Sequence, residues 1–323
     1  MADCERSSGW RPSSYLLQQI IDDGSRFSSS LVSKDVMILA GFLFKIFMTN
    51  EKQMPVMESS NPALGEFDQY FEQPNPSCHE KAAAWKTAIG LQAVDGLQPS
   101  QYLLQEAKRN IEGEVSIEEL RKNLYSYYER KAARGESDPP TEEADKVSAN
   151  ISQYLSKRTI NFSVPGFLLT HRAVFNGVFP FAGEIRTCNL TKKEWVLNGD
   201  SVYYMDFDDI LAGLEYDLGR EKKFRYSGLS ASERLAHLAD FTAGLWQIHA
   251  FREGNTRTVA VFMIQYLRSM GFEVNNNLFA DNSWYFRNAL VRAVYRNVRI
   301  NIDPEPKYLI RFLGNLLLNS PPD

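Results

Sequence analysis

A short run in the second half of the chain contains residues whose types and spacing could carry out phosphate chemistry. The run is IHAFREGNTRTVAVF, and the residues are His249, Glu253, Gly254, Asn255 and Arg257. Histidine can act as a general base near neutral pH, because its ordinary pKa lies close to that range. A glutamate provides the hard oxygen ligand that Mg²⁺ prefers when it bridges substrate phosphates. Together they predict a metal-assisted site for a phosphorylated substrate.

The phosphate subsite is predicted where this loop enters a helix. Gly254 allows a ligand to approach the backbone closely, and Asn255 is a typical N-cap residue. Free N–H groups and the helix dipole favour an anion at such a helix start. Arg257 can add a bidentate, charge-assisted contact. Each feature alone is usually structural, and it is their joint spacing that indicates a function.

The elements that position these residues are predicted to be helices. A capping-box pattern at Ser230 begins a helix that runs to Ile248, directly before His249. The next helix, from about Thr256 to Met270, is apolar nearly all round and should lie at the domain centre. Two more helices are predicted at 282–299 and 304–319. The fold class is therefore mostly α.

Strand character is clear only at 184–204. The sequence EIRTCNLTKKEWVLNGDSVYY alternates in polarity and contains an Asn198-Gly199 turn. This pattern predicts one small β-hairpin.

Two polar stretches divide the first half of the chain. Residues 49–80 have a loop-like composition, and RGESDPPTEEAD at 134–145 combines paired prolines with a charge run typical of a solvated connection. Between them, residues 82–131 show three helical patterns, two of which begin at the capping residues Ser100 and Ser116. The predicted organisation is an N-terminal helical and loop extension at 1–80, a helical unit at 82–131, and a domain with C-terminal helices at 146–323.

Composition limits the partners and the location. The 323 residues carry a net charge of -4. The chain therefore lacks the surplus of basic residues that would predict binding to nucleic acid. The most apolar run, at 36–48, contains Lys45 and is too short for a membrane span, which needs about 20 residues, so it is interpreted as a buried helix. The N-terminus has no secretory signal pattern and the cysteines lack CxxC spacing, which favours the cytoplasm. A homo-oligomer is compatible with the sequence.

The run HAFREGNTR resembles the signature of Fic proteins, HxFx[D/E]GNGRxxR. The matching residues are His249, Phe251, Glu253, Gly254, Asn255 and Arg257. Upstream, residues 168–187 resemble the segment that leads into the target-binding flap of this family. There the expected residues occur in order: Pro180, Ala182, Gly183 and Arg186. The resemblance covers about 160–305 and implies a Fic-type helical domain in which the hairpin is the flap.

The resemblance implies a protein adenylyltransferase, which transfers AMP from ATP to a Ser, Thr or Tyr hydroxyl of a protein. The chain itself is one candidate target. By position, His249 would deprotonate the hydroxyl and Glu253 would hold Mg²⁺. The phosphates would be bound by Gly254, Asn255, Thr256 and Arg257.

The flap and the adenine side can also be assigned by resemblance. The flap would align the target segment by strand addition. Arg186 begins this segment, and Lys192 and Lys193 at its tip are candidates to contact the target or the nucleotide, although exposed lysines are more often only solvated. Tyr285 resembles the adenine-side residue of the family, and the alternative is a core aromatic.

Two positions depart from the family signature. Its second glycine is Thr256, and its last arginine, which contacts the γ-phosphate in the family, is Ala260. This departure leaves two alternatives open. One is a protein phosphotransferase with reversed nucleotide orientation, as in the related death-on-curing toxins. The other is a catalytically silent Fic-fold protein that binds nucleotide or a partner, although retention of His249 and Glu253 speaks against it.

Residues 82–131 resemble the small antitoxins that accompany Fic toxins and imply intramolecular regulation. The inhibitory helix of that family carries [S/T]xxxE[G/N], and here LQAVDG places Leu91 at the Ser/Thr position and Asp95-Gly96 at the last two positions. Asp95 is therefore a candidate inhibitory residue, and the alternative is an exposed residue before a glycine C-cap. Because residue 260 is alanine, the inhibitory ion pair of the family is predicted not to form, which leaves Asp95 only direct repulsion of the γ-phosphate.

Overall fold

Helices build nearly all of the part of the chain that the computed structural model describes, residues 62–272, 274 and 277–318. After one helical turn at Pro62–Gly65, the helices are α1 Pro76–Gly90, α2 Gln101–Glu112, α3 Ile117–Ala133, α4 Pro139–Leu155, α5 Val164–Phe175, α6 Ile210–Lys223, α7 Ala231–Ile248, α8 Asn255–Ser269, α9 Asn277–Val294 and α10 Lys307–Leu318. The predicted mostly α fold is confirmed. The predicted helix at 36–48 and most of the 1–80 extension lie outside the described residues.

Helix starts follow the capping residues of the sequence. The side chains of Ser100, Ser116 and Ser230 each accept a hydrogen bond from the N–H group three residues later. At Ser230 the capping box is complete, since Ser230 N also donates to Glu233 Oε2 at 2.8 Å. The three helix starts predicted at these serines are confirmed, because capping depends only on residues within one turn.

The predicted solvated connection at 134–145 was wrong from Pro139 onward. Helix α4 begins there, with Asp138 as N-cap and the two prolines in the first turn. A proline is tolerated in this turn because its missing N–H would lack an intrahelical partner in any case. Asp145 is fully buried rather than solvated. Helix α4 also runs through residue 146, where the last domain was predicted to begin.

The segment at 184–204 turns back on itself, but without a ladder of paired strands. Its pairing is a single antiparallel bridge between Lys193 and Ser201. A 3₁₀ turn at Trp195–Leu197 and Asn198, with φ of 55°, make the reversal. The predicted β-hairpin flap is thus an irregular loop closed by one bridge.

Helix α8 lies at the centre of the described residues, as predicted. Every residue from Asn255 to Leu267 is buried. Helix α1 packs against α4 and α9, so the 82–131 region shares its core with the later helices. At Gly90, an added Cβ would lie 2.3 Å from Ala280 Cα, which shows how closely α1 and α9 approach. Within the described range, no helix is long and apolar enough to cross a membrane.

Candidate active site

His249 terminates α7 in an uncommon backbone conformation. Its φ of 48° lies in the left-handed region, and its N–H donates to Trp246 O at 3.1 Å. Its ring stacks on Tyr204, with 3.9 Å between the ring centroids, and meets the edge of the Trp246 ring at 5.5 Å. The residue is only 3% exposed. The imidazole is therefore held between two aromatic rings at the end of a helix.

The environment of His249 keeps its imidazole neutral. Burial lowers its pKa well below the usual histidine value, and the nearby charges of Lys192 and Arg186 lower it further. Neither ring nitrogen has a hydrogen-bond partner among the described residues. A neutral imidazole with a free nitrogen can accept a proton from a substrate, which is the property required of a general base.

Arg186, predicted to act at the flap, lies buried beneath the His249 loop and is 1% exposed. Its guanidinium donates to four backbone carbonyls: His249 O at 2.8 Å, Cys188 O at 2.6 Å, Ile248 O at 3.5 Å and Met205 O. Its main-chain N–H donates to Ala250 O at 2.9 Å. The arginine thereby joins the flap segment to the loop that presents His249.

Asn255 is not the N-cap that the sequence predicted. The N-cap of α8 is Gly254, with φ of 77°, and Asn255 is the first helical residue. The Asn255 side chain accepts from Phe251 N at 2.9 Å and donates to Phe251 O at 2.7 Å. It therefore closes the signature loop, residues 249–255, on itself. The predicted N-cap was wrong because a primary amide can serve two backbone groups of the preceding turn instead of one N–H of the next.

The start of α8 keeps the properties of an anion site. Gly254 has no side chain to cap the first N–H groups, which lack partners within the helix. A Cβ at Gly254 would lie 2.2 Å from the Phe175 ring, so the position requires glycine for space as well as for its φ. Thr256 points its hydroxyl inward, where Oγ1 accepts from Trp246 Nε1 at 3.0 Å. Its side chain therefore does not fill the space in front of the helix start.

Arg257 is buried and bound by groups from distant parts of the chain. Its Nη1 donates to Gln92 Oε1 at 2.9 Å and its Nη2 to Glu143 Oε1 at 2.8 Å. Its Nε lies 2.9 Å from Asp95 Oδ2, and the guanidinium stands 4.8 Å from the centroid of the Phe175 ring. The predicted phosphate ligand thus already has two carboxylate partners.

The prediction that Asp95 can act only by repulsion was wrong. Asp95 ends the 3₁₀ turn Leu91–Asp95, and Gly96 follows with φ of 69°. Its carboxylate pairs with Arg257, which precedes Ala260 by three residues and so lies about one turn earlier along α8. Ala260 itself is fully buried. Asp95 therefore has a cationic partner although residue 260 is alanine, because it pairs with Arg257, a different arginine of the signature.

Glu253, the predicted metal ligand, lies near the tip of the flap loop. Its Oε2 is 3.2 Å from Lys192 Nζ, and both side chains are partly exposed. Lys193 is exposed and forms the bridge with Ser201. Within residues 62–318, as far as they are described, no group of three or more His, Cys, Asp or Glu side chains could hold a metal. A single carboxylate still suits Mg²⁺, which keeps water and substrate phosphates as its other ligands.

Tyr285, the predicted adenine-side residue, packs against α10. Its hydroxyl donates to Tyr308 O at 3.4 Å, and its ring lies parallel to Phe312 with 6.3 Å between centroids. Burial raises the pKa of its hydroxyl. These contacts are those of a core aromatic, so the structure does not bring Tyr285 into contact with the signature loop.

Comparisons with known proteins identify the family of the region that contains these residues. Residues 161–267 match the Fic/DOC family. These residues form a Fic/DOC domain. A segment of 105 residues is 29% identical to "Protein adenylyltransferase VbhT" of Bartonella schoenbuchensis, covering 32% of this chain and 21% of that protein. The match therefore spans about a fifth of the length of this relative.

Solved structures of Fic proteins are similar to the chain. A Fic family protein from Desulfovibrio desulfuricans G20 superimposes with a TM-score of 0.50 at 12% identity, covering 80% of this chain and 71% of that chain. The BepC protein from Bartonella tribocorum, solved with bound AMPPNP, gives a TM-score of 0.41 at 19% identity, covering 57% of this chain and 89% of that chain. The first of these shares the fold with this Fic domain.

His171 of the Fic domain is a site residue that sequence reasoning missed. Its Nδ1 accepts from Gly183 N at 2.8 Å, so the proton is on Nε2, which lies 3.1 Å from Glu253 O and donates to it. The ring stacks on Phe251 at 3.7 Å, and burial lowers its pKa to about 4. His171 holds the loop of Glu253 as a neutral group. Nothing in the local sequence around it carries a signal for this role.

A second missed group connects His249 to α9. Tyr204, which stacks on His249, donates from its hydroxyl to Glu194 Oε1 at 3.3 Å. Glu194 is buried and pairs with Arg287 at 2.7 Å. Its partner comes from α9, 93 residues along the chain, so no local pattern could have revealed the contact.

Proposed function

We propose that the Fic domain transfers AMP from ATP to a Ser, Thr or Tyr hydroxyl of a protein, with His249 as the general base. The observation that carries this proposal is a buried, neutral imidazole with no partner on either nitrogen, a few residues before the glycine-led start of α8. The match to a protein named adenylyltransferase supports the reaction class. The target is a protein, and the chain itself is one candidate.

The proposed step is an in-line displacement. A free nitrogen of His249 takes the hydroxyl proton while the hydroxyl oxygen forms a bond to the α-phosphorus of ATP. The bond between that phosphorus and its bridging oxygen to the β-phosphate breaks, and pyrophosphate leaves. The uncapped N–H groups at the start of α8 would hold the negative charge, since donors fixed before the reaction need no reorganisation during it.

Mg²⁺ would be held by Glu253 and would neutralise charge on the phosphates. The carboxylate is partly exposed and therefore accessible, so it fits this role. Lys192 would have to move away from Glu253, and it would then be free to contact a phosphate or the target. We assign Lys192, and Lys193 beside it, to this side of the site because their loop closes over Glu253. The same loop would align the target segment by strand addition, for which the backbone around the Lys193 bridge offers an edge.

Access to the phosphate subsite is proposed to be regulated within the chain. Arg257 can reach a phosphate only if its guanidinium exchanges some of its present partners, Asp95, Gln92 and Glu143. Asp95 is the one that movement of the 3₁₀ turn Leu91–Asp95 would withdraw, because it sits at the end of that turn and is 34% exposed. Arg257 would then bind the α- and β-phosphates together with Asn255 and the start of α8.

The test is incubation of the purified chain with Mg²⁺ and ATP, followed by intact-mass measurement. We expect an added AMP on the Asp95→Asn variant, and none when His249→Ala is introduced as well. Addition of a phosphate instead would assign the reaction to phosphotransfer. No addition to itself or to a lysate, together with retained ATP binding, would leave a silent nucleotide-binding protein.

A further inference from the structure

A cleft of about 320 Å³ opens between α3, α4 and α5, away from the signature loop. Helix α5 lines it with Leu169, Arg172 and Ala173, whereas His171 and Phe175 point to a different face of α5, towards residues 251–254. The volume is in the usual range for small-molecule sites. None of the residues assigned to AMP transfer lines it.

The charges that line the cleft are all positive. Arg121, Lys157 and Arg172 contribute one cation each, and no Asp or Glu is among the described residues that line it. This is a local departure for a chain whose formal net charge is -4. Proteins usually bind a phosphate or another multiply charged anion with several cationic side chains and no carboxylate among them.

A buried side chain in the same cleft lacks a hydrogen bond. Asn150 is 2% exposed, and its Nδ2 donates to Val174 O and Asn176 O, each at 3.0 Å. Because both partners are carbonyls, the amide orientation is determined, and Oδ1 is the atom left without a partner. A buried acceptor of this kind is costly unless something donates to it.

Arg121 is held in place before any ligand arrives. Its Nη1 donates to Gln153 Oε1 at 2.8 Å, and Gln153 Nε2 donates to Glu118 Oε1 at 3.1 Å. Its Nε is buried and without a partner. A guanidinium oriented in advance loses less conformational entropy when it binds an anion.

We infer that this cleft binds a small phosphate ester that also carries a hydroxyl group. The phosphate would contact Arg121, Lys157 and Arg172, and the hydroxyl would donate to Asn150 Oδ1. Leu169, which is 53% exposed, provides an apolar wall for the carbon chain between the two groups. The site is independent of the proposed AMP transfer, since it uses neither the signature loop nor α8.

The experiment compares two probes that differ by one hydroxyl, 2-hydroxyethyl phosphate and ethyl phosphate, by titration calorimetry on the full chain at low salt. We expect the hydroxylated probe to bind about tenfold more tightly, because only it can satisfy the buried acceptor. Equal affinity for the two probes would overturn the assignment of Asn150.

The location is tested with a pair of matched variants. Arg172→Gln removes an exposed cation of the cleft, and Arg299→Gln removes an exposed cation elsewhere. We expect Arg172→Gln to weaken both probes about tenfold and Arg299→Gln to leave them unchanged. If Arg172→Gln binds like the wild type, or if the wild type shows no saturable binding at millimolar probe, the cleft is not the proposed site.

Discussion

Replacement of Asp95 by asparagine should increase the affinity of the Fic domain for ATP. The substitution keeps the shape of the side chain and removes the charge that lies 2.9 Å from Arg257 Nε. Arg257 would keep Gln92 and Glu143, so the fold around it should persist. The substitution therefore weakens the competition between the residue 95 side chain and the ATP phosphates for Arg257, and it leaves the arginine itself in place.

The size of the effect follows from the exposure of the two partners. Arg257 is 2% exposed in its side chain and Asp95 is 34% exposed, so the pair lies between a surface ion pair and a buried one. An exposed ion pair contributes about 0–1 kcal/mol and breaking a buried one costs about 3–5 kcal/mol, and solvent screening of Asp95 places this pair towards the lower values. A loss of about 1.4 kcal/mol of competition corresponds to a tenfold change in apparent ATP dissociation constant.

The assay is ATP binding by calorimetry together with the rate of AMP addition by intact mass. Asp303→Asn is a matched control, because Asp303 is an exposed aspartate that pairs with an exposed arginine at 3.4 Å. We expect both quantities to rise about tenfold in Asp95→Asn and to stay at the wild-type level in Asp303→Asn. A double-mutant cycle of Asp95→Asn with Arg257→Gln should show strong coupling. Additive effects of these two variants would refute the competition between Asp95 and phosphate for Arg257.

Three further outcomes are expected. His249→Ala should lower the transfer rate roughly 10²–10⁴-fold while ATP affinity stays unchanged, as the loss of a base predicts, and steady-state rates with calorimetry would check this. Glu253→Gln should require more Mg²⁺ for half-maximal activity, and superimposable metal titrations would remove its assignment as a ligand. His171, whose pKa burial lowers to about 4, is neutral in the fold, so its contribution to stability is present above about pH 6.5 and declines as the pH falls towards 4. The contribution amounts to about 3 kcal/mol from the difference between these pKa values. Urea unfolding of the wild type and His171→Asn between pH 4 and 7 should therefore converge at low pH, and a constant difference would contradict the origin in protonation.

Ala260→Arg is not expected to form the γ-phosphate contact that the family signature suggests. By resemblance, an arginine at this position should restore the missing contact to the γ-phosphate. Because Ala260 is fully buried within α8, a larger charged side chain would have to displace its neighbours.

The sequence alone determined those features whose partners lie within about one turn of the chain. The helix starts at Ser100, Ser116 and Ser230 and the spacing of the signature belong to this class. Capping and helix dipoles act over a few residues, so their patterns are visible in a single stretch of sequence. The same locality explains the error at 134–145. A proline can either end a helix or begin one, and here the paired prolines lie in the first turn of α4.

Only the tertiary structure decided what surrounds the signature side chains. Arg257 is bound by Gln92, 165 residues earlier, and by Glu143, 114 residues earlier, and these contacts exist because the 3₁₀ turn Leu91–Asp95 and α4 pack beside α8. His249 is neutral because its ring is buried against Tyr204, which comes from the flap loop. Burial and charge pairing depend on which elements meet in space, and a sequence motif specifies the chemistry of its side chains without specifying their neighbours.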